Sequence, residues 1–191
     1  MLKISGGTLR GRRIATPPGD LRPTQEKVRQ ALFSALGPVI PGCRFLDLFA
    51  GSGAVGLEAA SRGAGSVCWV ESDRRVFRTL RDNVAELCVG PDIGGMRPVC
   101  GDAVAFLKDG AMGGTYDIIF ADPPYADDPR ERRNDWLRKT LQALKAGPIL
   151  APKGVFVAEQ GADEPVPAVE GWAVTWDRTY GGTRLRFFEQ K

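Results

Sequence analysis

Histidine is absent from this 191-residue sequence, and its absence excludes several classes of catalyst. Neither a Ser-His-Asp triad nor a Cys-His pair can be assembled without an imidazole. Cysteine is scarce as well: the four cysteines are widely spaced and form no Cys-x-x-Cys pair, so we expect no metal site. They are Cys43, Cys68, Cys88 and Cys100. Any chemistry must therefore depend on carboxylates, backbone groups and a cofactor.

Long apolar runs are also missing. No uninterrupted apolar stretch approaches the ~20 residues needed to cross a bilayer, and no apolar signal segment is present. We therefore expect a cytoplasmic protein with reduced thiols and no membrane partner. The hydrophobic content of 43% is enough for one well-buried core, so we expect one domain with a small appendage.

Basic residues are concentrated near the start of the sequence. Residues 1–30 carry seven basic and two acidic side chains, whereas the whole chain has a net charge of only +3. Most of these cations are arginines, whose guanidinium group can bind phosphate in bidentate fashion or stack on a base. The pattern indicates a polyanionic partner, although a coding bias toward arginine on a solvated surface would give the same composition.

The first 22 residues have the pattern of a basic β-hairpin, with β segments at 3–5 and 12–14 separated by glycines. We assign residues 1–22 to this hairpin arm and residues 23–191 to the main domain. A helix is predicted from Thr24, because the apolar residues from Val28 to Leu36 have helical spacing, and it ends at Gly37-Pro38.

The rest of the chain alternates strands and helices, as in an α/β protein with a parallel sheet. The predicted strands are residues 44–48, 66–71, 96–100, 116–121 and 154–159, followed by a closing hairpin of 172–178 and 183–188. The predicted helices are residues 54–62, 74–87 and about 135–145. We therefore expect a single Rossmann-like domain with a seven-stranded, mostly parallel sheet and an antiparallel carboxyl-terminal hairpin.

A glycine-rich turn after residues 44–48 is the first candidate site. The run 51–56 satisfies the GxGxxG pattern, which leaves a nicotinamide or flavin enzyme open. However, Asp47 lies just before the glycines, where a carboxylate would repel a pyrophosphate but would suit the cationic amino-acid moiety of S-adenosylmethionine. The predicted cofactor-binding residues of this turn are Asp47, Phe49, Ala50, Gly51, Ser52 and Gly53.

Two further carboxylates follow the next two strands. Glu71 is placed to accept hydrogen bonds from both ribose hydroxyls, and Asp102, followed by Ala103, could accept one from an adenine amino group. A helix N-cap is the alternative for Asp102. Because the carboxyl ends of parallel strands meet at one edge of a sheet, where open α/β folds bind ligands, we expect the three carboxylates to share a cofactor site.

The strand 116–121 leads into the tetrapeptide Asp122-Pro123-Pro124-Tyr125, the predicted reaction site. The Asp122 carboxylate and the Pro123 carbonyl offer two acceptors for the two hydrogens of an exocyclic amine. Holding both hydrogens can draw the nitrogen toward tetrahedral geometry and direct its lone pair at a methyl donor. Tyr125 would stack on the extruded base. A surface turn is the alternative for the tetrapeptide considered by itself.

From Arg44 onward, the sequence resembles the class I S-adenosylmethionine-dependent methyltransferases with a D/N-P-P-Y/F motif. The segments Ser5-Gly6-Gly7 and Arg22-Pro23-Thr24, with Tyr180-Gly181-Gly182-Thr183, are similar to the bacterial RsmD family. The resemblance implies methylation of the guanine N2 amino group in small-subunit (16S) ribosomal RNA, within the subunit or an assembly intermediate. RNA phosphates would meet the arm at Arg10, Arg12, Arg13 and Arg22.

Other functions stay open at this point. A DNA adenine-N6 or cytosine-N4 methyltransferase shares the tetrapeptide, although it would usually need more protein to read a groove. A glutamine methyltransferase usually has Asn in place of Asp122. A nicotinamide oxidoreductase would leave the tetrapeptide unexplained. A non-catalytic RNA-binding assembly factor on the same fold is the alternative from outside the enzymes.

Overall fold

The structure, a computed structural model, describes residues 2–17, 26–89, 95–109, 114–123 and 134–191. Its strands are β1 (Leu2–Lys3), β2 (Arg13–Ile14), β3 (Arg44–Leu48), β4 (Ser66–Glu71), β5 (Met96–Cys100), β6 (Tyr116–Ala121), β7 (Leu150–Gly161), β8 (Trp172–Tyr180) and β9 (Thr183–Gln190). Its helices are α1 (Glu26–Leu36), α2 (Ala54–Ser61), α3 (Arg74–Leu87), α4 (Ala103–Asp109) and α5 (Asn134–Ala146), and a single 3-10 turn, Gly37–Val39, follows α1.

Within the described residues, the main sheet has seven strands in the order β5-β4-β3-β6-β7-β9-β8. The pairs from β5 to β7 are parallel, and β9 pairs antiparallel with both β7 and β8. The predicted fold is therefore confirmed. The chain moves outward from β3 to β5 and then returns to β6 beside β3, which opens a crevice at the carboxyl edge between β3 and β6.

Alternate residues of the central strands pack into two separate cores. Phe45, Trp69 and Phe120 point toward the face covered by α1, α2 and α3. Leu46, Val70 and Ile119 point toward the opposite face, which α4 and α5 cover. The continuous apolar runs of these strands follow from this burial on both faces. None of the described helices has the length and apolar character required to cross a membrane.

Several predicted boundaries differ from the structure, mostly by a few residues. The described part of the first helix begins at Glu26, and Thr24 lies outside the described residues. Strand β7 begins four residues earlier than predicted, at Leu150. Helix α4 was not predicted at all, because its seven residues are too few for a helical period to stand out.

The amino-terminal hairpin packs on the carboxyl-terminal end of α2, and Ser61 is the centre of this contact. The Ser61 hydroxyl donates to the Gly6 carbonyl (2.6 Å) and accepts from the Leu9 amide (2.9 Å). The Ser61 carbonyl accepts from the Thr8 amide at 2.7 Å. A side chain at Gly7 would overlap that carbonyl. The close backbone approach therefore requires glycine at this position.

Arg29 is not part of the basic surface that the composition indicated. It is fully buried, with its Nε 3.4 Å from Oε2 of the buried Glu58 and its Nη2 donating to the Lys3 carbonyl at 2.6 Å. Burial raises the pKa of Glu58, but hydrogen bonds from Ser5 and Arg62 and the Arg62 charge outweigh it, so the pKa is lowered overall. This ion pair stabilises the junction of the hairpin, α1 and α2.

Candidate active site

The glycine turn between β3 and α2 has a left-handed backbone at three positions. The φ angles are 57° at Phe49, 56° at Gly51 and 83° at Gly53. No described heavy atom lies within 4 Å of where a Cβ on Gly51 would stand, so the turn borders open space at the carboxyl edge. This is the space that a ligand could fill in close contact with the backbone.

The last two glycines of the GxGxxG pattern have a packing role that requires no dinucleotide. The buried Trp69 side chain of β4 donates from Nε1 to the Gly53 carbonyl at 3.2 Å. A Cβ on Gly56 would overlap the same indole, and one on Gly53 would overlap Leu80. The glycines therefore allow α2 to pack closely against β4.

Asp47 lies at the centre of the site and is only 1% exposed. Its Oδ2 accepts from the Gly56 amide at 2.8 Å. Burial raises the pKa of Asp47 well above its ordinary value, the Gly56 hydrogen bond opposes this, and the negative charges of Asp122 and Glu71 raise it further. The structure thus brings these three predicted carboxylates close enough to interact, and a cationic ligand would relieve their repulsion.

Glu71, at the end of β4, is fixed against the glycine turn. One carboxylate oxygen accepts from the Gly51 amide (2.9 Å) and the other from the Asp73 amide (2.8 Å). Asp73, which the sequence analysis did not single out, caps α3 by accepting from the amides of Arg75 and Val76. These backbone hydrogen bonds lower the pKa of the Asp73 carboxyl.

Asp102 follows β5 and stands immediately before α4. Its Oδ1 accepts from the Ala105 amide at 2.8 Å, which is the N-cap arrangement considered as the alternative. Asp102 is exposed and Ala103 is buried. The Asp102 contact with an adenine amino group stays a prediction.

Asp122 and Pro123 follow β6 directly, and both are partly exposed. Because Leu48 pairs with Ala121, Phe49 and Asp122 are the next residues along two adjacent parallel strands. The predicted reaction site and the glycine turn therefore border the same crevice. Pro124 and Tyr125 lie outside the described residues, as does Arg22 of the predicted RNA-binding set.

Glu159 is a site residue that the sequence analysis missed. It follows Ala158, which pairs with Ala121, so it lies beside Asp122 at the carboxyl edge. Only 4% of its surface is exposed. The signal for it was present in the sequence, since the predicted strand 154–159 ends in a carboxylate just as 66–71 does.

Two further residues close the site from neighbouring helices. The Trp136 ring of α5 makes an edge contact with Phe49, with centroids 5.9 Å apart and planes at 79°. The buried Asn83 of α3 donates from Nδ2 to the carbonyls of Ser52 (3.0 Å) and Ala15 (2.9 Å) and accepts from the Ala15 amide (3.0 Å). Asn83 therefore joins the end of the hairpin to the glycine turn.

The described arginines of the predicted RNA-binding set are on the surface of the hairpin. Arg10, Arg12 and Arg13 are exposed. Arg12 lies 3.8 Å from Glu86 of α3, an exposed pair that contributes little to stability. These three cations are therefore accessible to a polyanion.

The whole chain is similar to known methyltransferases. The sequence profile of the family described as conserved hypothetical protein 95 matches residues 2–189. The ribosomal RNA small subunit methyltransferase D of Escherichia coli is 35% identical over 100% of this chain and 90% of its own length. The solved structure of Escherichia coli yhhF superposes with a TM-score of 0.82 at 35% identity, covering 100% of this chain and 98% of that one.

The same fold also occurs in SMU.776, which was solved complexed with SAH and is more distantly similar. Its TM-score is 0.64 at 19% identity, over 85% of this chain and 48% of that one. The family profile, the full-length relative and the shared fold all agree with the methyltransferase that the order of the motifs along the chain predicted. This chain belongs to the family described as conserved hypothetical protein 95, the RsmD family of methyltransferases.

Proposed function

We propose that this protein transfers a methyl group from S-adenosylmethionine to the exocyclic N2 amino group of a guanine in small-subunit (16S) ribosomal RNA. The observation that carries the proposal is the position of Asp122, which borders the same crevice as the glycine turn and interacts electrostatically with buried Asp47. The full-length Escherichia coli relative, a ribosomal RNA small subunit methyltransferase, supports the substrate. It does not favour an oxidoreductase or a DNA methyltransferase.

The residues around the glycine turn fit S-adenosylmethionine. This cofactor, when bound, supplies an electrophilic methyl group on a sulfonium. The open space at Gly51 admits a ligand against the backbone, and the buried Asp47 carboxylate favours a cationic amino group. Glu71, held by the Gly51 and Asp73 amides, is oriented for ribose hydroxyls. Asp102 and Ala103 are assigned to the adenine end, and Phe49, Ala50, Ser52 and Gly53 to the wall of the turn.

Asp122 and the Pro123 carbonyl act on the target amine. Each accepts one N2 hydrogen, which localises the nitrogen lone pair and directs it toward the methyl group. With the cofactor bound, an N–C bond would form at the target amine at the expense of the cofactor's S–C bond, and the positive charge would move from the cofactor to this nitrogen. The cationic nitrogen then loses a proton to water, so no histidine base is required.

The hairpin arm binds the RNA backbone through Arg10, Arg12 and Arg13, and we retain Arg22 in this set. Their exposure and their separation from the carboxylate cluster suit contacts with phosphates, which supply affinity without sequence specificity. The arm (residues 1–22) is thus the RNA-binding appendage of the methyltransferase domain (residues 23–191). The substrate is the small subunit or an intermediate of its assembly.

The test is methyl transfer from labelled S-adenosylmethionine to small ribosomal subunits purified from cells that lack this protein. The labelled RNA is digested and its nucleosides are separated. We expect label in N2-methylguanosine with the wild-type protein and none with Asp122→Ala. Label in DNA, in protein or in another nucleoside would overturn the proposal.

A further inference from the structure

Glu159 is a buried carboxylate that the proposed reaction does not yet use. Strands β6 and β7 are parallel, and the last residue of β6, Ala121, pairs with Ala158. Asp122 and Glu159 are therefore the next residues of neighbouring strands, whose backbones are about 4.8 Å apart in a sheet. Both stand at the carboxyl edge, where this fold binds its ligands.

The two carboxylates also lie on the same face of the sheet. Phe120 and Val157, two residues earlier on each strand, both pack into the core under α1, α2 and α3. Ala121 and Ala158 both pack into the opposite core. Because side chains alternate along a strand, Asp122 and Glu159 share the first face with Asp47. The pairing of Glu159 with fully buried Leu185 on β9 agrees with this assignment.

Glu159 places a second carboxylate beside Asp122. It is only 4% exposed, and it lies one strand further from Asp47 than Asp122 does. An ionised carboxylate only accepts hydrogen bonds, so two carboxylates side by side at a ligand-binding edge suit a ligand that presents several donors. The carboxyl edge therefore calls for a ligand that offers donors at several adjacent positions.

Guanine has such an edge and the other amino-bearing bases do not. Next to its N2 amino group stands N1–H, so the edge presents three hydrogens in a row. Adenine and cytosine each place a ring nitrogen acceptor next to the amino group, and that acceptor would repel an ionised carboxylate, which only accepts hydrogen bonds. Asp122 and Pro123 account for two of the guanine hydrogens, and the third needs one more acceptor.

We propose that Glu159 is the specificity-determining residue of the reaction site, whose carboxylate accepts the N1–H of the target guanine while Asp122 and Pro123 hold its N2 hydrogens. The assignment rests on the proposed function. It explains why a site with the tetrapeptide shared by several amino-methylating enzymes would select guanine over adenine or cytosine.

The first part of the test uses the wild-type protein and altered RNA. The target guanine, located by mass spectrometry of nuclease fragments of the methylated RNA, is replaced by 2-aminopurine, which keeps the N2 amine but has an acceptor at N1. A matched RNA carries 6-thioguanine, which keeps N1–H and changes only O6. We expect 2-aminopurine to be methylated about 10- to 100-fold more slowly than guanine, the range for a lost hydrogen bond to a charged group, and 6-thioguanine to react at close to the guanine rate.

The second part exchanges the acceptor. The carboxamide of Glu159→Gln can donate to the N1 of 2-aminopurine while its oxygen faces the amine. The variant should therefore be slowed about 10- to 100-fold on guanine but not slowed on 2-aminopurine. Glu170→Gln, which changes an exposed carboxylate in the segment between β7 and β8, should leave both rates unchanged. Cofactor binding and thermal unfolding of each variant are measured in parallel.

The outcomes separate the possible failures. Equal wild-type rates on guanine and 2-aminopurine, or a 6-thioguanine rate as low as that of 2-aminopurine, would overturn the role of Glu159 while the proposed function stands. The same follows if Glu159→Gln slows both bases equally, as a purely structural residue would. An absence of wild-type transfer to guanine would overturn the proposed function, and the Glu159 assignment with it. The wild-type comparison is informative even if the variant fails to fold.

Discussion

Asp47 illustrates how a single residue can favour function at the expense of stability. Its carboxyl is buried beside two other carboxylates, and its pKa lies well above the ordinary value because of burial first and the charges of Asp122 and Glu71 second. The folded protein therefore binds more protons than the unfolded chain between the ordinary pKa and the raised one. Through that window, stability falls as the pH rises.

Asp47→Asn removes this penalty and keeps an oxygen for the Gly56 amide. We expect the variant to melt at a higher temperature than wild type at neutral pH, by about 2–4 °C for each 1 kcal/mol gained. The difference should shrink as the pH falls and approach zero below the ordinary aspartate pKa of about 3.9, where the carboxyl is protonated in both the folded and the unfolded chain. Scanning calorimetry across this range checks the prediction. A variant less stable than wild type at neutral pH would contradict it.

The same substitution should weaken cofactor binding. The carboxamide offers no negative charge to a cationic amino group, so we expect the Kd for S-adenosylmethionine to rise about 10-fold or more. Isothermal titration of both proteins measures the change. Asp163→Asn, at an exposed position outside the site, is the control that should leave the Kd unchanged.

In the proposed function, the chemical step depends on Asp122. Asp122→Ala should lower the single-turnover rate of methyl transfer about 100- to 1000-fold, the range for loss of one preorganised electrostatic contact in a transition state. Because the side chain lies outside the glycine turn, the Kd for the cofactor should change much less. A rate unchanged by this substitution would place the reaction elsewhere.

At the scale of elements, helix α3 connects the predicted RNA-binding hairpin to the glycine turn of the predicted cofactor site. The helix is amphipathic, with Leu80, Val84 and Leu87 in the core, and Asn83 beside them on the buried face. This asparagine is hydrogen-bonded to Ser52 in the glycine turn and to Ala15 at the end of the hairpin. The hairpin and the cofactor turn are therefore held in one arrangement by one side chain.

Asn83→Asp tests this connection. The substitution keeps the acceptor for the Ala15 amide but removes both donations, which leaves the carbonyls of Ser52 and Ala15 facing a buried carboxylate. We expect a loss of about 1–3 kcal/mol in the free energy of unfolding, together with weaker cofactor and RNA binding. Denaturant titration and binding measurements check it. Asp82→Asn, an exposed neighbour on the same helix, should change stability by no more than about 0.5 kcal/mol.

At the scale of the whole molecule, the distribution of charge separates binding from chemistry. The proposed function assigns the cofactor and the target amine to the acidic crevice, whereas exposed Arg10, Arg12 and Arg13 lie on the hairpin. Changing all three to Ala should weaken binding to small-subunit RNA and lower the slope of log Kd against log salt by about 2–3 units, because each phosphate contact contributes about 0.7–0.9.

The matched control for this triple variant is Arg178→Ala, an exposed arginine on β8. It should preserve both the affinity and the slope. The rate of methyl transfer at saturating RNA should also be preserved in the triple variant. An unchanged salt slope in the triple variant would show that the arm arginines do not contact RNA phosphates.

The sequence predicted those parts of the molecule that depend on local signals. Strand β3, the glycine turn and the start of α2 follow from an apolar run bounded by Asp47 and Gly51, and the mostly parallel character of the sheet follows from strand-helix alternation. Contacts between distant segments could not be predicted, such as those of Ser5 with Glu58 or of Arg29 with the Lys3 carbonyl. For this reason, the sequence analysis counted Arg29 among the surface charges of residues 1–30. Glu159 carried a signal, the carboxylate that ends the predicted strand 154–159, but its position beside Asp122 follows only from the strand register.

In the proposed function, methylation of guanine N2 in small-subunit ribosomal RNA depends on Asp122. The most direct test of this dependence is nucleoside mass spectrometry of that RNA from cells in which the gene is deleted and then restored as wild type or as Asp122→Ala. We expect that one N2-methylguanosine disappears on deletion, returns with the wild type and fails to return with the variant at equal protein levels. Full restoration by Asp122→Ala, or an N2-methylguanosine content that never depends on the gene, would contradict it.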